Sequence, residues 1–334
     1  MKIFNMKNRT DHVRPEKKRG DRNRRRTRIC ILVCAFLLTV LVPCHSAFET
    51  TAAGGARVLG MANAFTAVEN GGEGILDNPA AVCSVNKGSF TAMYSPLFTG
   101  LDDGSFNNGF VNLVCFFQKI GVFSLNWEFL TASTGQVTDL YTEDKIALTY
   151  SRIIKKDLYA GLVLNYYKWS SAKQTDPAGR SESLGSRAFS FGLSAFYRVR
   201  EEFRLGLFIN NINQPALDDR SRGNDDLERI PLEIRAGMAF YIRTLLVSLD
   251  MKFIREDVDI LTGAEYWFPG STRKKVFGVR LGFQLPDLGK GFNATAGLSV
   301  LVFRDFSVDY GFLIPVTTIK SIWGEHRFSM SYLF

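Results

Sequence analysis

Apolar and polar residues alternate along most of this chain, and the alternation continues to its last residue. In the final segment the apolar positions share one parity: Phe328, Met330, Tyr332 and Phe334. The polar positions Arg327, Ser329 and Ser331 share the other. A period of two predicts a β-strand with one apolar face. Because termini usually fray, a strand that ends on an aromatic residue favours the closing strand of a membrane β-barrel over a soluble sandwich strand.

Fourteen segments after residue 88 show this period of two. They lie at 89–97, 108–117, 120–130, 143–153, 157–168, 187–199, 202–211, 230–242, 244–253, 258–268, 275–285, 291–303, 304–313 and 324–334. Most have about ten residues, the length of a tilted membrane strand. Each has a consistent apolar face, which in 157–168 includes Leu162 and Leu164. Sandwich strands alternate as well, so the connections have to distinguish the two folds.

The connections between these segments alternate in length. Those after the second, fourth, sixth, eighth and twelfth segments are short turns, and most of those after odd-numbered segments are longer loops. The alternation weakens around the ninth to eleventh segments. Short periplasmic turns and longer outer loops are typical of outer-membrane barrels. We predict an all-β protein in which residues 88–334 form a 14-stranded antiparallel transmembrane β-barrel, with a soluble periplasmic sandwich as the alternative.

The formal net charge of +8 comes from the first 47 residues. They contain 12 Lys and Arg against 3 Asp and Glu, and the other 287 residues contain 29 against 30, so the two parts carry +9 and −1. Basicity confined to a leader does not indicate nucleic-acid binding. A 14-residue apolar run, Ile29–Val42, suits a signal peptide and is too short to span a bilayer. We predict a signal peptide at 1–47, cleaved near Ser46 or Ala47, with a lipoprotein cysteine at Cys44 as the alternative.

Few residues after residue 47 could carry out chemistry. The only cysteines there are Cys83 and Cys115, and the only histidine is His326. Two cysteines do not make a disulfide framework, and one histidine cannot supply a metal cluster. No motif pairs a nucleophile with a base. We predict no enzyme activity, no metal site and no cofactor. No apolar run of 18 residues follows residue 47, so a membrane protein of this sequence has to cross as a barrel.

Residues 48–87 differ in composition from the alternating segments. Gly and Ala are abundant between Gly54 and Val68, and tight turns follow as far as Ala81. Such a segment is neither an apolar strand nor a strongly amphipathic helix. Since it precedes the first barrel strand, we predict that it enters the lumen from the periplasmic rim as a hatch. A disordered periplasmic tail is the alternative.

Two stretches of this segment resemble a known family. Gly55–Val68 reads Gly-Ala-Arg-Val-Leu-Gly-Met-Ala-Asn-Ala-Phe-Thr-Ala-Val, and Asp77–Ala81 reads Asp-Asn-Pro-Ala-Ala. Together they resemble the N-terminal hatch of the FadL-like outer-membrane proteins. That superfamily includes long-chain fatty-acid transporters, PorV-like proteins of type IX secretion and small members of the UPF0164 type. The resemblance implies a 14-stranded barrel with an N-terminal hatch, and it places the hatch motif at Asn78, Pro79 and Ala80.

Two features depart from the fatty-acid transporters of this superfamily. The chain is much shorter, mainly because it lacks long outer loops. In those transporters a kinked early strand opens a lateral hole in the wall, and the third segment here has no interior Gly or Pro to mark such a kink. Both differences weaken the transfer of a fatty-acid substrate to this chain.

Charged residues share the lumen-facing parity on four consecutive segments. They are Glu233, Arg235, Asp250, Lys252, Glu265 and Arg280. Neighbouring strands lie roughly 4.8 Å apart, so these side chains can form a ladder of alternating sign that braces a polar interior. The alternative is that Arg235 or Arg280 is unpaired and receives a ligand carboxylate. A fatty-acid site would also need an apolar pocket near the hatch, for which Phe65, Ile75 and Leu76 are candidates, with core packing of the hatch as the alternative. The candidate lumen and ligand-binding residues are Arg235, Arg280, Glu265 and Phe65.

These features predict a barrel in the bacterial outer membrane that binds or passes a hydrophobic small molecule such as a long-chain fatty acid. The alternative is a PorV-like scaffold for protein interaction or secretion. The expected partners are outer-membrane lipid, the hydrophobic ligand and the outer-membrane assembly machinery, for which Tyr332 and Phe334 form the C-terminal signal. No nucleic acid is expected.

Overall fold

The computed structural model describes most of the predicted barrel and hatch. The described residues are 48, 54–97, 99, 104–134, 140–172, 174–175, 181–182, 185–217, 228–269, 275–317 and 324–334. The predicted signal peptide at 1–47 lies outside the described residues and stays a prediction.

Fourteen antiparallel strands form a closed barrel within the described residues. They are β1 Ser89–Leu97, β2 Gly104–Phe117, β3 Gly121–Thr134, β4 Tyr141–Lys155, β5 Leu158–Ser171, β6 Gly185–Arg198, β7 Phe203–Asn210, β8 Glu233–Ile242, β9 Leu245–Ile254, β10 Asp257–Pro269, β11 Lys275–Leu285, β12 Asn293–Phe303, β13 Phe306–Pro315 and β14 Glu325–Leu333. Each strand pairs with the next, and β1 pairs with β14, with Ser89 opposite Leu333. The predicted 14-stranded antiparallel barrel is confirmed.

Short turns join the strands at one end of the barrel, which we call the short-turn rim. These turns are 118–120, 156–157, 199–202, 243–244 and 304–305. The opposite end, the long-loop rim, carries two hairpins, formed by Gln174–Thr175 with Ser181–Glu182 and by Ala216–Leu217 with Glu228–Arg229. It also carries a 3₁₀ turn at Pro286–Gly289 and one short turn, 255–256, where the sequence showed the alternation weakening.

The strands differ from the alternating segments mainly near the long-loop rim. β2 begins at Gly104 rather than at 108, and β3 continues to Thr134 rather than 130. The apolar period stops early there because the outward residues become polar, although Gly104 still pairs with Thr134. β8 begins at Glu233 rather than at 230, since Pro231 has no N–H to donate to a ladder.

The two faces of the barrel wall differ in polarity as the alternation predicted. Outward Leu162, Phe189 and Leu281 expose 54%, 62% and 65% of their surface, whereas lumen-facing Glu265 and Arg280 each expose 2%. The exterior therefore carries an apolar band, and the lumen carries polar and charged side chains. Among the described residues, no helix is long and apolar enough to cross a bilayer.

The segment before β1 lies inside the lumen, and we refer to residues 54–88 as the hatch. It contains two short helices, α1 Ala56–Gly60 and α2 Pro79–Val82. α1 packs against β11 to β14, and α2 packs on the opposite wall against β4 to β6. The hatch therefore spans the lumen from wall to wall, in agreement with the predicted N-terminal hatch.

The hatch and its seat as the candidate functional site

Glycines on the lumen face of the barrel let the hatch backbone lie directly on the wall. A methyl group at Gly263 would lie 2.5 Å from the carbonyl oxygen of Met61, and one at Gly206 would strike the carbonyl of Thr66. These glycines belong to three cross-strand pairs: Gly206 with Gly237, Gly263 with Gly282, and Gly297 with Gly311. The pairs form a groove, here named the glycine groove, that seats hatch residues 56–67, because any side chain there would push the hatch off the wall.

The closing strand β14 holds the hatch through its polar face. Ser329 Oγ accepts a hydrogen bond from the backbone N–H of Ala56 at 3.0 Å. Arg327 donates to a backbone carbonyl of the hatch at 3.0 Å, and Ser331 donates to a carboxylate oxygen of Glu73 at 3.1 Å. The polar parity of the last segment, which the sequence showed only as the inward face of a strand, therefore binds the hatch.

A carboxylate shared by two arginines ties the hatch to the barrel wall. Glu265 on β10 accepts two hydrogen bonds of 2.7 Å from the hatch residue Arg57 and one of 2.7 Å from Arg280 on β11. Arg280 also lies 3.2 Å from a carboxylate oxygen of Asp309 on β13. The guanidinium of Arg57 lies over the ring of Phe65, 5.2 Å from its centroid. Three predicted residues therefore meet around Arg57, which no sequence pattern singled out.

Arg235, the other candidate cation, is bound to two carboxylates. Its guanidinium contacts Asp77 of the hatch and Glu233 on its own strand. Nearby, Asp250 accepts the backbone N–H of Thr66 at 2.7 Å. Of the predicted charge ladder on β8 to β11, Glu265 and Arg280 pair across strands, whereas Arg235 and Asp250 bind the hatch. Both candidate arginines have anionic protein partners, so a ligand carboxylate at either one would compete with a protein carboxylate.

Two buried carboxyl groups of the hatch have raised pKa values. Burial raises the pKa of Asp77 to about 6, although the charge of Arg235 opposes the shift. Burial, reinforced by the charge of Asp309, raises the pKa of Glu73 to about 8 against the opposing charges of two arginines. Glu73 is therefore mainly protonated at neutral pH while the hatch is seated.

The predicted hatch motif lies against β6, beside the end of the glycine groove at Gly206 on β7. Asn78 Oδ1 accepts the backbone N–H of Ala80 at 3.0 Å and so caps α2, whose first residue is Pro79. The Asn78 amide donates to the carbonyl oxygens of Thr66 and of Ala195 on β6, at 2.7 and 3.0 Å. This one side chain therefore joins both halves of the hatch to the barrel.

Apolar contacts hold the half of the hatch around α2. The hatch residues of this cluster are Ile75, Leu76, Ala80, Ala81, Val82 and Cys83, and the wall residues are Met93, Phe110, Val114, Val122, Tyr159 and Phe196. Core packing of the hatch was one interpretation of Ile75 and Leu76 from the sequence, but the wall residues of this cluster were not predicted. The signal that could have found them is on β2, where Phe110 and Val114 make the lumen-facing parity apolar as well.

A cavity of about 860 Å³ lies between the hatch and the short-turn rim. Its polar wall includes Arg57, Glu73, Glu265 and Asp309, and its apolar wall includes Leu246, Trp267, Val276, Leu301 and Leu333. A volume of this size suits a small organic ligand. Of the candidate residues, Glu265 lines this cavity. Arg235 instead lines a pocket of about 30 Å³ on the other side of the hatch, which has room for one or two waters.

Buried cations in the described part of the lumen all have anionic partners. Besides Arg57, Arg235 and Arg280, the pairs are Lys145 with Glu128 at 3.3 Å, Lys252 with Asp259 at 3.8 Å, Arg204 with Glu69 at 3.2 Å, and Arg327 with Glu325 at 2.6 Å. Within the described ranges no group of three or more Asp, Glu, His or Cys side chains is placed to hold a metal ion.

Three solved barrels match this structure over most of their length. The CymD monoaromatic hydrocarbon channel has 13% identity and a TM-score of 0.55, covering 86% of this chain and 98% of its own. The Pseudomonas putida toluene transporter TodX has 9% identity and a TM-score of 0.58, covering 86% and 98%. A Pseudomonas aeruginosa FadL homologue has 13% identity and a TM-score of 0.55, covering 88% and 99%. No family model and no curated protein sequence matches the chain.

The closed 14-stranded barrel with a hatch across its lumen defines the fold as FadL-like, and these matches agree. At such low identities the likeness shows the fold, and one fold hosts several functions. The function of this chain therefore has to be argued from its own residues.

Proposed function

We propose that the protein is a bacterial outer-membrane channel for uncharged hydrophobic small molecules, and that the hatch keeps it closed. The observation that carries this proposal is the position of the hatch, which spans the lumen beside a cavity of about 860 Å³. The apolar exterior band suits a bilayer, which a closed barrel can cross with every strand paired. Solved barrels of this fold described as a hydrocarbon channel and a toluene transporter support a hydrophobic cargo.

The pairing of the lumen cations favours an uncharged ligand over a fatty acid. A ligand carboxylate at Arg280 or Arg235 would have to displace a protein carboxylate, and breaking a buried ion pair leaves an uncompensated charge that costs about 3–5 kcal/mol. A neutral ligand needs no such exchange. It gains roughly 25 cal/mol for each Å² of apolar surface that it buries against residues such as Trp267 and Leu246.

Uptake of three labelled compounds of equal chain length tests this proposal. Cells that produce the protein in their outer membrane are given decane, 1-decanol or decanoate, and cells without the protein are the control. We expect the protein to accelerate the uptake of decane and 1-decanol and to leave decanoate near the control. Faster uptake of decanoate would restore the fatty-acid prediction. No acceleration of any compound would contradict a channel and leave the PorV-like scaffold as the better hypothesis.

A further inference from the structure

The hatch loop Glu69–Glu73 lies beside β1 and β2 at its two glycines, Gly71 and Gly72. Both ends of this loop are anchored to the barrel, the first residue by Arg198 at 2.8 Å and the last by Ser331 at 3.1 Å. Between the anchors, the hydrogen bonds that the described residues show for Asn70 and Gly72 all stay within the hatch. Gly72 has a φ of +147°, which glycine adopts far more readily than other residues.

Gly72 closes a narrow seam between the hatch and the β1–β2 wall. A methyl group on Gly72 would lie 2.5 Å from Asn112 Oδ1 and 2.7 Å from Ser89 Oγ. Ser89 lines the cavity at the short-turn rim, and Asn112 and then Asn108 follow along β2 toward the long-loop rim. Gly72 therefore lies at the cavity end of the seam, against Ser89 and Asn112, and Phe110, which packs against the hatch, lies between Asn112 and Asn108.

Four buried polar atoms along this seam have no hydrogen-bond partner among the described residues. They are Ser89 Oγ, Asn112 Oδ1 and both amide atoms of Asn108. All three residues are 0% exposed. Asn112 donates its amide N–H to Asn126 at 2.5 Å, which fixes the direction of its unpartnered oxygen. Native proteins rarely leave buried polar atoms unpaired, so these atoms are candidates for contact with a ligand.

We propose that the ligand passes the hatch along this seam, where Ser89, Asn112 and Asn108 bind a neutral hydroxyl or carbonyl group that the hydrophobic ligand carries. The inference rests on the proposed channel function and adds its route and ligand class. Carboxamide and hydroxyl groups both donate and accept hydrogen bonds, so they suit a neutral polar group. The seam opens when Gly71 and Gly72 move away from β1 while the two anchored ends of the loop stay in place.

A disulfide between the loop and β1 tests the route. A Cβ atom at Gly71 would lie 4.0 Å from the Cβ of Ser89, a separation that a disulfide spans. The lock is Gly71→Cys with Ser89→Cys, in a background of Cys83→Ala and Cys115→Ala. When oxidised, this variant is expected to import 1-decanol no faster than cells without the protein, and reduction should raise uptake to the level of the Ser89→Cys single variant. Each single cysteine variant is the control, because its uptake, whatever its level, should be the same before and after oxidation. Equal uptake by the oxidised and reduced forms would overturn the route.

Asn108→Leu tests the hydrogen-bonding site. We expect it to lower 1-decanol uptake about two- to tenfold, the effect of one lost hydrogen bond, and to leave decane uptake unchanged. Asn107→Leu, one residue away on the outward face of β2, is the matched control. An equal change for both compounds would overturn the site. If the unmodified protein imports neither compound, the channel function itself fails. If it imports both and neither the lock nor Asn108→Leu has an effect, only this inference fails.

Discussion

Two carboxyl groups contribute to holding the hatch, Glu265 in its charged form and Glu73 in its neutral form. Glu265 bonds two guanidinium groups at 2.7 Å, so its role requires the charged form. Glu73 is buried with a pKa raised to about 8, so the seated hatch favours its neutral form. Sequence parity placed Glu265 in the lumen, but it could not show that its partner Arg57 comes from the hatch.

Rising pH is expected to loosen the hatch. The seated Glu73 has a pKa of about 8 against 4.5 for a free glutamate, so its contribution to seating is complete below about pH 4.5 and is lost as the pH rises through 8. The pKa of Asp77 is about 6 in the seated hatch against 3.8 for a free aspartate, so Asp77 acts in the same direction at lower pH. Trypsin cleavage after Arg57, corrected for the pH dependence of trypsin on a free peptide, should be faster at about pH 8.5 than at about pH 6. Glu73→Gln should reduce this difference, and an undiminished difference would contradict the assignment to Glu73.

At the scale of secondary-structure elements, the hatch contacts the barrel at two places: the cross-strand glycines and the polar face of β14. The strands themselves could be predicted, because parity and turn length are local properties of the sequence. The glycine groove could not, since Gly206 and Gly237 become neighbours only once the register of β7 and β8 is fixed. The described structure places Tyr332 and Phe334 on the outer face, about half exposed, and their role in assembly stays a prediction.

Gly206→Ala is expected to unseat the hatch without opening the barrel. The added methyl group would strike the carbonyl of Thr66, and overpacking of this kind typically costs about 1–3 kcal/mol. The hatch should therefore become more sensitive to protease. The barrel should stay folded, so the unboiled protein should still migrate faster on a gel than the boiled, unfolded protein. Gly104→Ala is the matched control, because the nearest atom to its methyl group would be 3.9 Å away. Equal protease resistance in the two variants would count against the glycine groove.

At the scale of the whole molecule, the described barrel presents an apolar band to its surroundings. The free-energy cost of a charged side chain on this band should depend on its depth in the bilayer. Leu162 lies within β5, whereas Ile154 lies at the end of β4 beside the short-turn rim, and both are well exposed. Arginine should cost roughly 2–4 kcal/mol near the bilayer midplane and about 0–1 kcal/mol near an interface. Leu162→Arg should therefore lower the free energy of unfolding more than Ile154→Arg does. Urea unfolding in lipid, with gel mobility as the readout of folded protein, measures this difference. Identical unfolding curves would argue against this placement in the membrane.

The features that the sequence does not predict lie inside the barrel rather than in its wall. Strand number, parity and the hatch motif at Asn78 were readable, because each is a repeating or contiguous signal. The partners of Arg235 and Arg280 were not, since Asp77 and Asp309 are distant in sequence from the strands that they bind. Ligand class depends on those partners, so the sequence left open whether either arginine receives a ligand carboxylate, and the observed pairing supports the proposal of a neutral ligand.

The bonds from β14 to the hatch also order events in time. The hatch precedes every described barrel strand and β14 follows the other thirteen, yet Ser329 and Ser331 bond directly to the hatch. Translation runs from the N-terminus, so the hatch is made before its partners on β14. Full seating of the hatch therefore waits for the strand that is made last of the fourteen, which couples it to completion of the barrel wall.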